Sequence, residues 1–262
     1  LDESSKLILM NKFEEVKRLI DNFKFFDAIN LCNELENSYK DYYMLYYIRG
    51  LAYYKTGDIY YSMLDFKKLL TMYFNDREIY EIVGNFFDNI NDYEYTLKTY
   101  ILAYKIYNDY YWLFLAGKSS LKYNDIRNAN TYFTYCLRGG SGYGFEGFAD
   151  INLLQNQYED ALNNYSNAQM SYSSYGSNGI DIERLNSKIS NVMVQRELYN
   201  WNSRIENREY EAATNILNSL SSYSKDFPEI NLALAKTYFR MGDYQLSKNI
   251  LNRFISVNKT FD

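Results

Sequence analysis

Three short stretches of this 262-residue chain hold residue types that elsewhere carry chemistry. Gly142-Tyr143-Gly144-Phe145-Glu146-Gly147 has the spacing of a dinucleotide-binding turn, whose glycines let the backbone approach a pyrophosphate. That use needs a strand before the glycines and a βαβ unit around them. Here the preceding residues read as helix, and the glycines fall at a junction between helical segments. Ala116-Gly117-Lys118-Ser119 has the closing residues of a phosphate-binding loop, yet Trp112 stands where the first glycine of that loop would be. Glu78, Glu81 and Asp88 would share one helix face. Paired carboxylates do acid–base work only in a desolvated cleft that separates their pKa values, and a solvated acidic face is the simpler expectation. The chain has no histidine, which removes the usual general base near neutral pH and the commonest metal ligand. The expectation is no catalytic residue, no metal and no cofactor.

Composition narrows the partners. Net charge is −5, against the clustered Lys/Arg excess that phosphate neutralisation requires, so no nucleic acid is expected. No apolar run reaches the roughly 18 residues of a membrane span. Cys32 and Cys136 stand more than a hundred positions apart, at small-residue core positions, and read as buried thiols rather than as a disulfide. The chain opens on Leu1, so a processed protein or an excised piece is expected.

The elements that must position these residues recur. From Tyr43 to Tyr110 the chain holds two copies of one helix–turn–helix pattern. Each has an aromatic (Tyr46, Tyr80), a glycine four residues on (Gly50, Gly84) and another aromatic (Tyr53, Phe87). A polar turn follows, then a small residue (Ser62, Thr96) and an aromatic four later (Phe66, Tyr100). The small residue recurs at Ala28, Ser62, Thr96, Ala129, Ala161, Ala213 and Ser247, with successive spacings of 34, 34, 33, 32, 52 and 34 residues. This resembles the tetratricopeptide repeat, a 34-residue helical hairpin. The likeness covers nearly the whole chain and is strongest in repeats two to five and seven.

The resemblance implies an all-α fold: a right-handed superhelical solenoid of about seven hairpins, some fourteen helices in all. Repeats one to five span 1–175, an irregular loop and helix extension fills 176–193, and repeats six and seven span 194–262, as one continuous solenoid. The 18 surplus residues are placed in that irregular stretch, with Ser171 to Gly179 as its loop, and an added helix between repeats would also fit. The resemblance also implies a concave groove lined by the first helices. Its partner-facing residues map to Tyr47, Tyr54 and Lys55 in repeat two and to Glu81, Asn85 and Asn89 in repeat three. Repeat four offers Phe114, Lys118 and Lys122, and repeat five Glu146 and Asp150. Aromatics beside mixed charge suit a protein or peptide segment, although Tyr47 and Phe114 could instead complete the packing. The carboxylate clamp that some family members use for chaperone tails is not matched by Phe13/Lys17, Tyr47/Leu51 or Glu81/Asn85.

The expected function is therefore a non-catalytic protein-interaction scaffold. The alternatives are a component of bacterial envelope assembly, or a regulatory module of a longer protein with a separate effector domain. The expected compartment is the bacterial periplasm or envelope, with the cytoplasm as the alternative. An apolar last helix (Ile250, Leu251, Phe254, Ile255, Val257) leaves room for self-association.

Overall fold

The computed structural model describes residues 3–174 and 179–258. Among them are fourteen α-helices and no strand. The first four hairpins are α1 (Glu3–Asp21) with α2 (Phe25–Tyr39), α3 (Tyr43–Thr56) with α4 (Ile59–Leu69), α5 (Arg77–Asn89) with α6 (Tyr93–Tyr107), and α7 (Tyr110–Lys122) with α8 (Ile126–Arg138). The remaining three are α9 (Gly142–Leu154) with α10 (Tyr158–Ser174), α11 (Gly179–Glu206) with α12 (Tyr210–Ser219), and α13 (Glu229–Met241) with α14 (Tyr244–Asn258). The chain forms two compact bodies, Leu1–Tyr132 and Phe133–Asp262.

The same local chemistry turns most of the hairpins, and in full the second, third, fourth and seventh. A residue in the left-handed region closes the first helix: Gly57 at φ 84°, Asn91 at 61°, Asn124 at 58°, Asn156 at 58°, and Gly242 at 88°. Glycine and asparagine tolerate that conformation best. An aspartate then caps the second helix. Asp58, Asp92, Asp125 and Asp243 accept from backbone N–H groups three residues on, at 3.0 to 3.4 Å, a contact worth about 1 kcal/mol each.

Packing explains the small residues. Ala28, Ser62, Thr96, Ala129, Ala161 and Ala213 are fully buried, and Ser247 nearly so. On the opposing helices, a Cβ built at Gly50 would meet the Phe66 ring at 2.8 Å, and one at Gly84 the Tyr100 ring at 2.3 Å. Gly84→Leu should therefore lower stability by about 1–3 kcal/mol, read as a shift in urea midpoint with an unchanged slope.

In the N-terminal body one core runs from Phe13 to Ala116, with Phe66, Tyr80, Phe87 and Trp112 at its centre. The C-terminal body has two clusters. Tyr165, Ala168, Tyr172, Leu185 and Val192 form one, and Val194, Trp201, Leu217 and Ile230 form the other. Both draw on α11, whose first half packs with α10 while its second half pairs with α12. The expected loop at Ser171 is not a loop as far as Ser174, which belongs to α10, and Gly179 already opens α11. Residues 175–178 lie outside the described ones.

The glycine cluster is a packing device. Ser141 caps α9, and a Cβ at Gly144 would meet the Leu137 backbone nitrogen at 2.7 Å, one at Gly147 the Phe133 ring at 2.2 Å. Glycines three apart let the helix approach its predecessor closely. Both cysteines are buried free thiols, and burial pushes the Cys32 thiol up to about 12.

Candidate functional site

In the N-terminal body the residues expected to meet a partner lie on α3, α5 and α7. Tyr54 is 37% exposed and meets Phe86 edge-on at 5.3 Å. Lys55, Asn85, Asn89 and Lys122 are exposed, and Tyr47, Glu81 and Lys118 are half-buried. Burial, assisted by the carboxylates of Glu78 and Asp76, pushes the Tyr47 phenol up to about 12. Neighbouring helices are laced together across this row. The Tyr111 hydroxyl donates to Glu81 at 3.4 Å, the Tyr100 hydroxyl to Asn85 at 3.1 Å, and Lys122 to the carbonyl and carboxylate of Asp88 at 2.6 and 2.9 Å. Phe114 departs from expectation. It is 3% exposed and belongs to the core.

In the C-terminal body the expected partner-facing pair, Glu146 and Asp150, is buried, at 0% and 8% exposure. The physical reason is α11. Arg184 grips the Glu146 carboxylate with two bonds of 2.7 and 2.9 Å. Lys188 bridges Glu146 at 2.9 Å and both oxygens of Asp150 at 2.9 and 3.1 Å. From α10, the Tyr172 hydroxyl donates to Glu146 at 2.9 Å, and the Tyr165 hydroxyl donates to Asp150. Burial works against the Lys188 charge, but Asp150 and Glu146 outweigh it and hold the pKa above the ordinary lysine value. These carboxylates have their cations already. Lys188→Met should cost about 3 kcal/mol by leaving two buried carboxylates with one cation between them. Adding Asp150→Asn should restore about half of that, a coupling that a double-mutant cycle in urea measures.

A second buried charge network was missed by the sequence reading. Arg49 of α3 is 7% exposed and Asp65 of α4 is 6% exposed. Two bonds of 2.8 Å join them. From α2, Glu36 accepts two more bonds at 2.6 and 3.2 Å, and Asn33 one at 2.9 Å. Burial opposes the guanidinium charge, and the bonds to Asp65 and Glu36 overcome it. The available signal was an arginine standing where the repeat carries leucine.

These hairpins in register define a helical-repeat protein. No family model matches the chain. Over 149 residues it is 32% identical to a TPR repeat-containing protein of Methanocaldococcus jannaschii, a match that takes in 54% of this chain and only 26% of that protein's length. Its fold is similar to the solved C-terminal part of a TPR repeat-containing protein from Cytophaga hutchinsonii, with a TM-score of 0.59 at 14% identity over 95% of this chain and 96% of that one. The chain is thus similar to tetratricopeptide-repeat proteins, in sequence over part of its length and in fold over nearly all of it. No helix among the described residues is long and apolar enough to cross a membrane.

Proposed function

We propose that the chain is a non-catalytic interaction scaffold that holds a peptide or protein segment along the first helices α3, α5 and α7. The observation that carries the reading is the mixed surface of that row. Tyr54 and the half-buried Tyr47 supply apolar area beside exposed Lys55, Asn85, Asn89 and Lys122. Aromatic anchors of this kind dominate binding energy while surrounding polar groups set register. Arg49, Glu146 and Asp150 are occupied internally and take no part.

The test is a selection of peptides from a random library on the intact chain, followed by affinity measurement. Tyr54→Ala/Lys55→Glu/Asn89→Ala should weaken selected peptides by about tenfold or more, while Phe26→Ser, at an exposed position of the second helix α2, should not change their binding. Equal affinity for the row variant and the wild type would reject this surface.

A further inference from the structure

A recess of about 410 Å³ lies in the C-terminal body, between the loop after α12, helix α13 and helix α14. Its floor is apolar: Pro228 at the head of α13, Leu234 on α13, and Ile250 and Phe254 on α14. Two exposed cations border it, Lys225 from the loop and Arg253 from α14. The Asn231 amide donates to the Ser224 carbonyl at 3.2 Å and ties the loop that carries Lys225 to α13. Among the described residues no carboxylate lines the recess, since Asp226 and Glu229, though near Lys225 in sequence, lie outside it. Neither Lys225 nor Arg253 forms an ion pair with a described residue.

The repeat does not require this imbalance. At the same register repeat two has a recess of about 420 Å³, where Arg49 and Lys68 face Asp65 and Glu36 and the charges balance. Counted from the small residues Ser62 and Ser247, repeat seven has Leu234 at the place of Arg49, Ile250 at that of Asp65 and Ser221 at that of Glu36. Arg253 keeps the place of Lys68. Both carboxylates are gone while the cation stays, and an apolar floor replaces the ion pair. A positive rim around an apolar floor is complementary to an apolar group with negative charge beside it. Small ligands need pockets that bury most of their surface, whereas this recess is open along Lys225, Pro228 and Arg253, all exposed. Such a seat suits a side chain carried on a longer segment.

We propose that this recess is a second protein-contact site, which seats an aliphatic side chain of a partner flanked by acidic residues. The side chain lies on Leu234, Ile250 and Phe254, and the flanking carboxylates meet Lys225 and Arg253. The site is separate from the row on α3, α5 and α7, so either can fail without the other.

The experiment is an NMR titration of the whole chain with the capped peptide N-acetyl-Glu-Leu-Glu-amide. N-acetyl-Gln-Leu-Gln-amide is the charge control and N-acetyl-Glu-Ala-Glu-amide the apolar control. The first peptide should shift the methyl resonances of Leu234 and Ile250 at millimolar concentration, and each control should bind about tenfold more weakly. Lys225→Gln and Arg253→Gln should each weaken the first peptide by about threefold to fivefold, and added salt should weaken it further. Both changes are at exposed positions, so they leave the fold in place. The row variant Tyr54→Ala/Lys55→Glu/Asn89→Ala should bind this peptide as the wild type does. No shift of Leu234 and Ile250, or unchanged affinity in both cation variants, would overturn the site. Equal binding of the glutamine peptide would remove the charge, and equal binding of the alanine peptide would reduce the site to surface attraction; either overturns it. Tighter binding of octanoate than of the peptide would replace the protein partner with a free organic acid, and would also overturn it.

Discussion

Arg49→Leu should lower the unfolding free energy by about 3–5 kcal/mol, although leucine is what the repeat carries at that position. The loss comes from what is left behind. Asp65 is 6% exposed, and both of its oxygens accept from Arg49. Without the guanidinium it becomes a largely buried carboxylate that has lost both bonds to its counter-charge. Arg49→Leu/Asp65→Ile should return to within about 1 kcal/mol of the parent or exceed it, because it copies the Leu234/Ile250 pair of repeat seven. Urea unfolding of the four members of the cycle measures the coupling. A single substitution as mild as the double one would show that the pair is solvated rather than buried.

The second large effect is alkaline. Tyr80, Tyr100, Tyr165 and Tyr172 are at most 5% exposed, and burial raises the pKa of all four. For Tyr165 and Tyr172 the carboxylates of Asp150 and Glu146 push in the same direction. In the unfolded chain tyrosine ionises near pH ~10. Above that pH the unfolded state has lost protons that the folded state keeps, so stability falls as pH rises. The contribution is complete below pH ~10 and shrinks by about 1.4 kcal/mol per pH unit for each buried phenol. The four together should remove about 5 kcal/mol between pH ~10 and ~11. Lys188, also raised, loses its contribution in the same direction. Urea midpoints taken against pH, with tyrosinate absorbance near 295 nm, should show exposed phenols titrating first and the buried set only with unfolding. A midpoint that holds flat to pH ~11.5 would contradict the burial of these hydroxyls.

The repeat was readable because its constraints are local. The small residue must lie under a neighbouring helix, and Gly50 and Gly84 must leave room for Phe66 and Tyr100. The left-handed turn residue and the aspartate after it act within a few positions of one another. Partnerships across 38 or 42 residues, such as Arg184 and Lys188 with Glu146, leave no such trace. Glu146 and Asp150 therefore looked like groove residues, since their position in the repeat says which way they point but not what comes to cover them. Phe114 failed for a related reason, because an aromatic on a first helix can serve either the surface or the core. Arg49 was legible in principle, as a charged residue at a position that the pattern reserves for leucine.

Arrays of stacked hairpins commonly come apart piecemeal, each interface yielding independently of the next. The 28-residue α11 imposes a different behaviour here, because one uninterrupted rod is rooted in two hydrophobic clusters at once. Leu185 and Val192 anchor it to the first, Trp201 and Ile205 to the second. Fraying cannot stop midway along such a splint without stranding apolar side chains in water. Its amide protons should exchange with deuterium as a single block from end to end, which would make the C-terminal body melt in larger steps than its hairpin count suggests.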